Sequence, residues 1–318
     1  MNLPVVAEAS RSQEAAADRK LTLADWLRYG PFLAHIVVTR RCNLTCGYCN
    51  EYDDHSPPVP FHVLDGRLRK LRALRTWMVC LSGGEPTLHP DLVRIVARMR
   101  ELGFRRRQII TNGYLLTPQL IDGLNDAGLT DLQISVDGVK RNATTFKVLE
   151  KLQGKLLMLA ERARFEVVVS GVIGSAPPQE ALEVVRFAQA NGLNPRIVLL
   201  HDGEGRLKLS AEELAAYGEV KRLIGRRARE AGDYREALIE HGRAPFRCRA
   251  GSRYLYVDEN GKVAWCSQTR GYFARDLESY SIADLREQFH TIKTCSDGCT
   301  VGCVRSASAY DTWRSQRG

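Results

Sequence analysis

Cys42-Asn43-Leu44-Thr45-Cys46-Gly47-Tyr48-Cys49 places three thiols within eight residues. Three thiolates at this spacing can hold three irons of a [4Fe–4S] cube and leave the fourth without a protein ligand. A cluster that only carries electrons usually takes four cysteines. An open iron is a place where a small molecule can bind and react. The competing reading is a zinc site, which takes four ligands, usually cysteine pairs or cysteine with histidine. His55 and His62 follow the run, but not at a spacing such sites use.

Farther along stands Gly83-Gly84-Glu85-Pro86. Together with the CxxxCxxC run, in which the aromatic Tyr48 precedes the last cysteine, it resembles the radical S-adenosylmethionine (radical SAM) superfamily, whose SAM-binding loop reads GGEP. The resemblance implies that Cys42, Cys46 and Cys49 each ligate one iron. The open iron then takes the amino and carboxylate groups of SAM. Gly83 and Gly84 would let backbone approach the methionine ammonium, with Glu85 and Pro86 fixing the loop. It also implies that Tyr48 lies near the adenine through its backbone, and that Asn112, Ser135 and Asp137 lie at strand ends near the methionine and ribose. Asn112-Gly113 and Asp137-Gly138 favour turns in any fold, which is the plain alternative for those residues. No residue is singled out as general base or hydrogen donor. Tyr52, Asp53 and Asp54 follow the cluster loop and are within its reach.

From residue 34 onward strand-like and helix-like segments alternate. Strands are expected over 34–39, 78–81, 108–111, 132–136, 165–169 and 196–200. Helices are expected over 63–74, 92–102, 118–127 with Thr117 as N-cap, 146–163 and 178–190. Such a repeat argues for a parallel sheet with right-handed crossovers. In barrel-like sheets chemistry collects where strands end. Here the cysteines follow the first strand, Gly-Gly-Glu-Pro the second, Thr111-Asn112-Gly113 the third and Ser135-Val136-Asp137-Gly138 the fourth. The fold class expected is α/β: a partial (β/α)6 TIM-like barrel with a small C-terminal β-hairpin/helix iron–sulfur extension. The domains expected are a flexible N-terminal extension (1–30), near whose end Trp26, Leu27 and Tyr29, with Phe32, form an apolar entry segment that packs on the domain, the barrel (31–205), a helical connector (206–247) and an auxiliary-cluster domain (248–318). The connector is long enough to cover the barrel mouth.

The later cysteines are Cys248, Cys266, Cys295, Cys299 and Cys303. The first two flank a hairpin pattern with alternating Tyr254 and Tyr256 and a turn at Gly261. This resembles the start of the SPASM/twitch extension, which holds auxiliary iron–sulfur clusters in radical SAM enzymes; a helix over 281–289 should follow. Two further cubanes would need more thiols than remain, so one auxiliary cluster, expected as [4Fe–4S], is the economical count. Cys248, Cys266 and Cys303 are the favoured ligands, with Cys295 or Cys299 as the fourth. Gly298 and Gly302 argue for an irregular loop there, and a structural zinc is the alternative.

The chain has 318 residues, 44% hydrophobic, with a net charge of +9. Arg105-Arg106-Arg107 and Arg226-Arg227-Ala228-Arg229 carry part of that charge, as solvated faces or as a surface for an anionic partner. Aromatic and basic residues do not alternate as they do for single-stranded nucleic acid, so no nucleic-acid partner is expected. No apolar run reaches membrane-spanning length. Eight of the nine cysteines fall in clustered spacings; Cys80, in an apolar run, reads as a core thiol. Oxygen-sensitive thiolates imply a cytoplasmic location. The function expected is reductive cleavage of SAM and hydrogen abstraction from a small molecule, with oxidation or rearrangement to follow. The electron donor would be a flavodoxin or ferredoxin. The alternatives are a maturase acting on a ribosomal peptide or protein and, in another class, a non-catalytic iron–sulfur sensor or carrier.

Overall fold

A computed structural model describes residues 23–201, 207–243 and 246–309. One nine-stranded sheet in the order β6-β5-β4-β3-β2-β1-β7-β8-β9 organises it. Strands β1 (Leu33–Thr39), β2 (Met78–Gly83), β3 (Arg106–Thr111), β4 (Asp131–Val136), β5 (Glu166–Ile173) and β6 (Asn194–Leu199) run parallel. Helices α2 (Phe61–Ala73), α3 (Leu92–Glu101), α4 (Pro118–Ala127), α5 (Leu149–Arg162) and α6 (Pro178–Ala190) cross between them. The sheet curls without closing, as a partial TIM-like barrel.

The strands alternate strictly between two environments. Ile36, Leu81, Ile109, Ile134 and Val169 join Leu64, Leu68, Ile95, Ile121 and Leu156 in the core beneath the helices. The intervening residues His35, Ser82, Ile110 and Ser135 face the barrel interior. Thr117 caps α4 as expected, its hydroxyl accepting from the Leu120 amide. Helix α5 starts later than residue 146, because the Lys147 carbonyl is taken by the Asp137 amide.

The C-terminal region does not form a separate layer. β7 (Tyr254–Val257) lies parallel to β1, and β8 (Lys262–Ala264) and β9 (Arg275–Asp276) continue the sheet antiparallel beyond it. Leu255, Val257, Leu277, Tyr280, Leu285 and Phe289 belong to the barrel's own apolar core, the last two from α9 (Ile282–His290). Helix α1 (Leu23–Tyr29) packs Tyr29 edge-on to Phe289, 5.3 Å between ring centres, and Arg253 holds its Trp26, Leu27 and Gly30 carbonyls. Residues 23–30, assigned above to a flexible extension, are therefore part of the packed unit: a short helix with an aromatic anchor has an apolar seat to fill. Residues 1–22 lie outside the described residues.

The connector is two helices, α7 (Ala211–Ile224) and α8 (Arg226–His241), broken at Gly225, where φ is +66°. α7 packs Ala216, Tyr217 and Val220 against Leu182, Val185 and Ile197 on the β6 flank, so it lies along the barrel's side and not over its mouth. α8 sends Tyr234 to the Cys299 carbonyl. Helix α10 (Gly302–Ala309) completes the chain described.

Leu255→Ala in β7 and Leu132→Ala in β4, both fully buried, should each destabilise the protein by about 3 kcal/mol. Urea unfolding followed by tryptophan fluorescence should show one shifted transition for both. Two transitions would mean that the extension folds apart from the barrel.

Candidate functional site

The rim where β1 to β4 end encloses a cavity of about 280 Å³. Cys42, Cys46 and Cys49 line it together with Gly83, Gly84, Glu85, Asn112 and Ser135. The cysteine loop is tied down at several points. The Cys42 amide donates to the Asp53 carbonyl at 3.0 Å, and the Gly47 amide to the Thr144 carbonyl at 3.0 Å. The Leu44 amide approaches the Cys42 sulfur at 3.4 Å, and Asn112 Nδ2 bridges to Asn43 Oδ1 at 2.8 Å.

The second loop lies hard against the first. Gly83 has φ +122°, and a Cβ there would stand 2.1 Å from the Thr39 carbonyl oxygen; at Gly84 it would stand 2.2 Å from that of Arg40. Both distances exclude any side chain. The amides of Gly84 and Glu85 donate to the Thr39 and Arg41 carbonyls, each at 2.8 Å. Glycine is thus required first for chain-on-chain packing, a reason the motif alone did not supply. Glu85, 1% exposed, accepts from the Thr87 amide, the Thr111 hydroxyl at 2.6 Å and the Asn112 amide at 2.7 Å. A carboxylate is acceptor-only, so one buried side chain locks the ends of β2 and β3 together. Pro86 opens a 3₁₀ turn, Pro86–Leu88, behind the cavity.

Tyr48 and Asp137 are absent from the cavity wall. The Tyr48 hydroxyl donates to Asp137, which also accepts from Thr145 at 2.6 Å and pairs with Lys147 at 3.4 Å. Lys147 in turn lies 4.9 Å from the Tyr48 ring centre. The pair anchors the cysteine loop to the end of β4.

His35, Glu51, Ser82, Lys147, Tyr254 and Tyr256 line the cavity as well. The signal that could have marked His35 is a polar residue inside an otherwise apolar strand, on the inward parity of β1. Glu51, at the rim, accepts from the Tyr256 hydroxyl at 3.0 Å. Of the residues after the cysteine run, Tyr52 reaches the cavity; Asp53 caps Ser56 and pairs with Arg40 instead.

The residues fit a cluster and a polar ligand. Ser82 Oγ, a buried atom at the cavity wall, has no partner among the described residues. Among the described residues no three His, Cys, Asp or Glu side chains converge as one metal ion requires. The later cysteines fit likewise. Every pairing among Cys248, Cys266, Cys295 and Cys299 is close enough for one thiolate to raise another's pKa. Burial chiefly pushes Cys248 to about 11 and Cys299 to about 12, a cost that a cationic cluster would offset.

Cys303 also lies near Cys266, but its sulfur is turned another way. α10 begins at Gly302, and its first turn directs the Cys303 sulfur to the Tyr254 hydroxyl and the main cavity. Cys248, Cys266, Cys295 and Cys299 thus all lie near one another, while Cys303, favoured above as a ligand, is near Cys266 and also lines the cavity.

His35 is held neutral. Burial, then the nearby charge of Arg196, lower its pKa from 6.5 to about 4. The unfolded chain takes up the proton first, so this histidine lowers stability as pH falls from about 6.5 to about 4, by about 3 kcal/mol at the lower end. His35→Gln should flatten that part of the acid limb, measured as urea midpoints at pH 7 and about pH 4.5. An unchanged limb would show that His35 is not buried neutral.

The chain is similar to known proteins in three ways. It is 37% identical over 129 residues to the PqqA peptide cyclase of Methylorubrum populi, covering 39% of this chain and 33% of that one. The chain thus spans about one third of the length of that relative. It is 27% identical over 275 residues to a probable GTP 3',8-cyclase of Sulfolobus acidocaldarius, covering 79% and 83%. In fold it is similar to SuiB of Streptococcus suis bound to S-adenosylmethionine, with TM-score 0.62 and 17% identity over 87% of this chain and 68% of that one. Residues 36–206, which hold the three-cysteine loop, the Gly-Gly-Glu-Pro turn and all six parallel strands but the first residues of β1, match the radical SAM superfamily model, and the chain belongs to that superfamily.

Proposed function

We propose that the rim cavity holds a [4Fe–4S] cluster on Cys42, Cys46 and Cys49, with SAM beside it, and that the enzyme removes a hydrogen atom from a small molecule. One observation carries this reading: the three thiols, the Gly83–Gly84 edge and the polar strand ends Asn112 and Ser135 share one cavity wall. Bound on Cys42, Cys46 and Cys49, the cluster would supply the electron for reductive cleavage of a carbon–sulfur bond of SAM. The chain's own residues have other tasks. The Glu85 lock and the Gly83–Gly84 packing fix the wall in one shape, which serves orientation. Ser82 and Ser135 offer hydroxyls to polar ends of the ligand. The apolar sheet face and α7 keep the lower barrel from bulk water.

We assign an auxiliary cluster to Cys248, Cys266, Cys295 and Cys299, a site able to accept an electron from the substrate. The 27% identity to a GTP cyclase over most of both chains favours the small-molecule reading. A peptide substrate is the second reading, favoured by the 37% identity to a peptide cyclase over a shorter stretch. The electron donor proposed is a flavodoxin or ferredoxin.

Anaerobic incubation with SAM and dithionite should yield 5′-deoxyadenosine, and Cys46→Ala should lower it at least ~100-fold, as loss of one of three cluster ligands requires. A mutant equal to wild type would remove the assignment.

Iron content separates the later thiols. Wild type should carry about eight irons per chain, Cys299→Ser about four, and Cys303→Ser about eight. A loss in Cys303→Ser equal to that in Cys299→Ser would refute the four-thiol grouping.

A further inference from the structure

Below the rim the barrel interior carries positive charge that no carboxylate among the described residues offsets. Arg196 stands on β6, on the same rung as Ser170 of β5 and Ser135 of β4. Its guanidinium turns toward the deeper layer. Nη1 donates to Gln133 Oε1 at 3.2 Å. A Cβ built on Gly302 would stand 3.2 Å from Nη2, so the group reaches across to the start of α10, beside Cys303. It lies near enough to His35 and Cys303, both on the cavity wall, to act on their protonation. A second guanidinium, Arg235 of α8, faces it; that residue's own partner is the Tyr217 hydroxyl.

The contrast with other arginines is plain. Arg106 pairs with Asp131, Arg270 with Glu259 and Arg275 with Asp284 and Glu287. Among the described residues Arg196 pairs with no Asp or Glu, and its strongest charged neighbour is another cation. Half-buried like charges that face each other cost free energy until an anion enters between them. A guanidinium fork matches a carboxylate or phosphate in two parallel hydrogen bonds. The neighbours are apt for the rest of a ligand: His35 is uncharged, Gln133 offers an amide, and Tyr254 and Cys303 close the wall.

We propose that Arg196, supported by Arg235, binds an anionic group of the substrate, a carboxylate or phosphate, at the deep end of the cavity beside His35 and Cys303. This names a substrate class for the cavity proposed above and rests on that reading of it. The rim polar groups are left to the cofactor, and the charged floor selects the molecule that reacts.

The main readout needs no turnover, so its outcome is separable from that of SAM cleavage. Thermal midpoints of the anaerobic holoenzyme are measured with inorganic phosphate or acetate up to ~50 mM, chloride holding ionic strength constant. The wild-type midpoint should rise by about 2–5 °C with the preferred anion. A larger rise with phosphate assigns a phosphate group, and a larger rise with acetate assigns a carboxylate. Arg196→Gln should start at or above the wild-type midpoint, because it relieves repulsion, and should lose most of the response. If instead Arg196→Gln melts below wild type and keeps the full response, the guanidinium is a structural strut and the proposal fails. It also fails if that variant raises the KM for SAM in 5′-deoxyadenosine formation about tenfold while the anion response is unchanged. The group would then serve the cofactor.

Discussion

The close packing of two loops governs the rim of this barrel. The turn after β2 lies so near the chain that leads into the cysteine run that no side chain can stand at Gly83 or Gly84. That approach gives the two amide–carbonyl bonds that hold the loops in register, and it puts Glu85 where its carboxylate gathers donors from β3. The geometry of the three thiols is inherited from this junction. A loop of eight residues with an exposed end would otherwise sample many shapes, and a ligand site that must be assembled at each binding event forfeits affinity and rate.

A second constraint is the interior of the barrel. Such interiors are commonly filled with branched apolar side chains. Here the inward positions include His35, Ser82, Gln133, Ser135, Ser170, Arg196, Tyr254 and Tyr256, and stability comes from the outer shell between sheet and helices. A polar, charged interior is costly to fold around. It is the arrangement expected where a site has been placed at the expense of packing.

The extension joins these two features. Because β7 pairs with β1, the hairpin that carries Cys266 grows directly from the sheet that carries Cys42, and Tyr254 and Tyr256 face the same interior as His35. Cys266, just past β8, is therefore held in fixed relation to the first three thiols by the sheet's backbone hydrogen bonds. Tyr234 of α8 donates to the Cys299 carbonyl and so ties that loop to the helical connector.

The sequence by itself determined the family, the six strand–helix units and the placing of each distinctive loop after a strand. Those follow from local signals: cysteine spacing, the period-2 and helical patterns, the Thr117 cap and the glycine turn. It did not reveal that Tyr48 and Asp137 hold each other, that the apolar segment of Trp26, Leu27 and Tyr29 is a helix, or that Cys303 faces the cavity. Nor did it show Arg196 meeting Arg235, since partners from β6 and α8 share no motif. These depend on which strand lies beside which and on where a helix begins. Thiols at i and i+4 look equivalent in a list of spacings, and only the start of α10 at Gly302 brings the Cys303 sulfur to the Tyr254 hydroxyl as well as near Cys266.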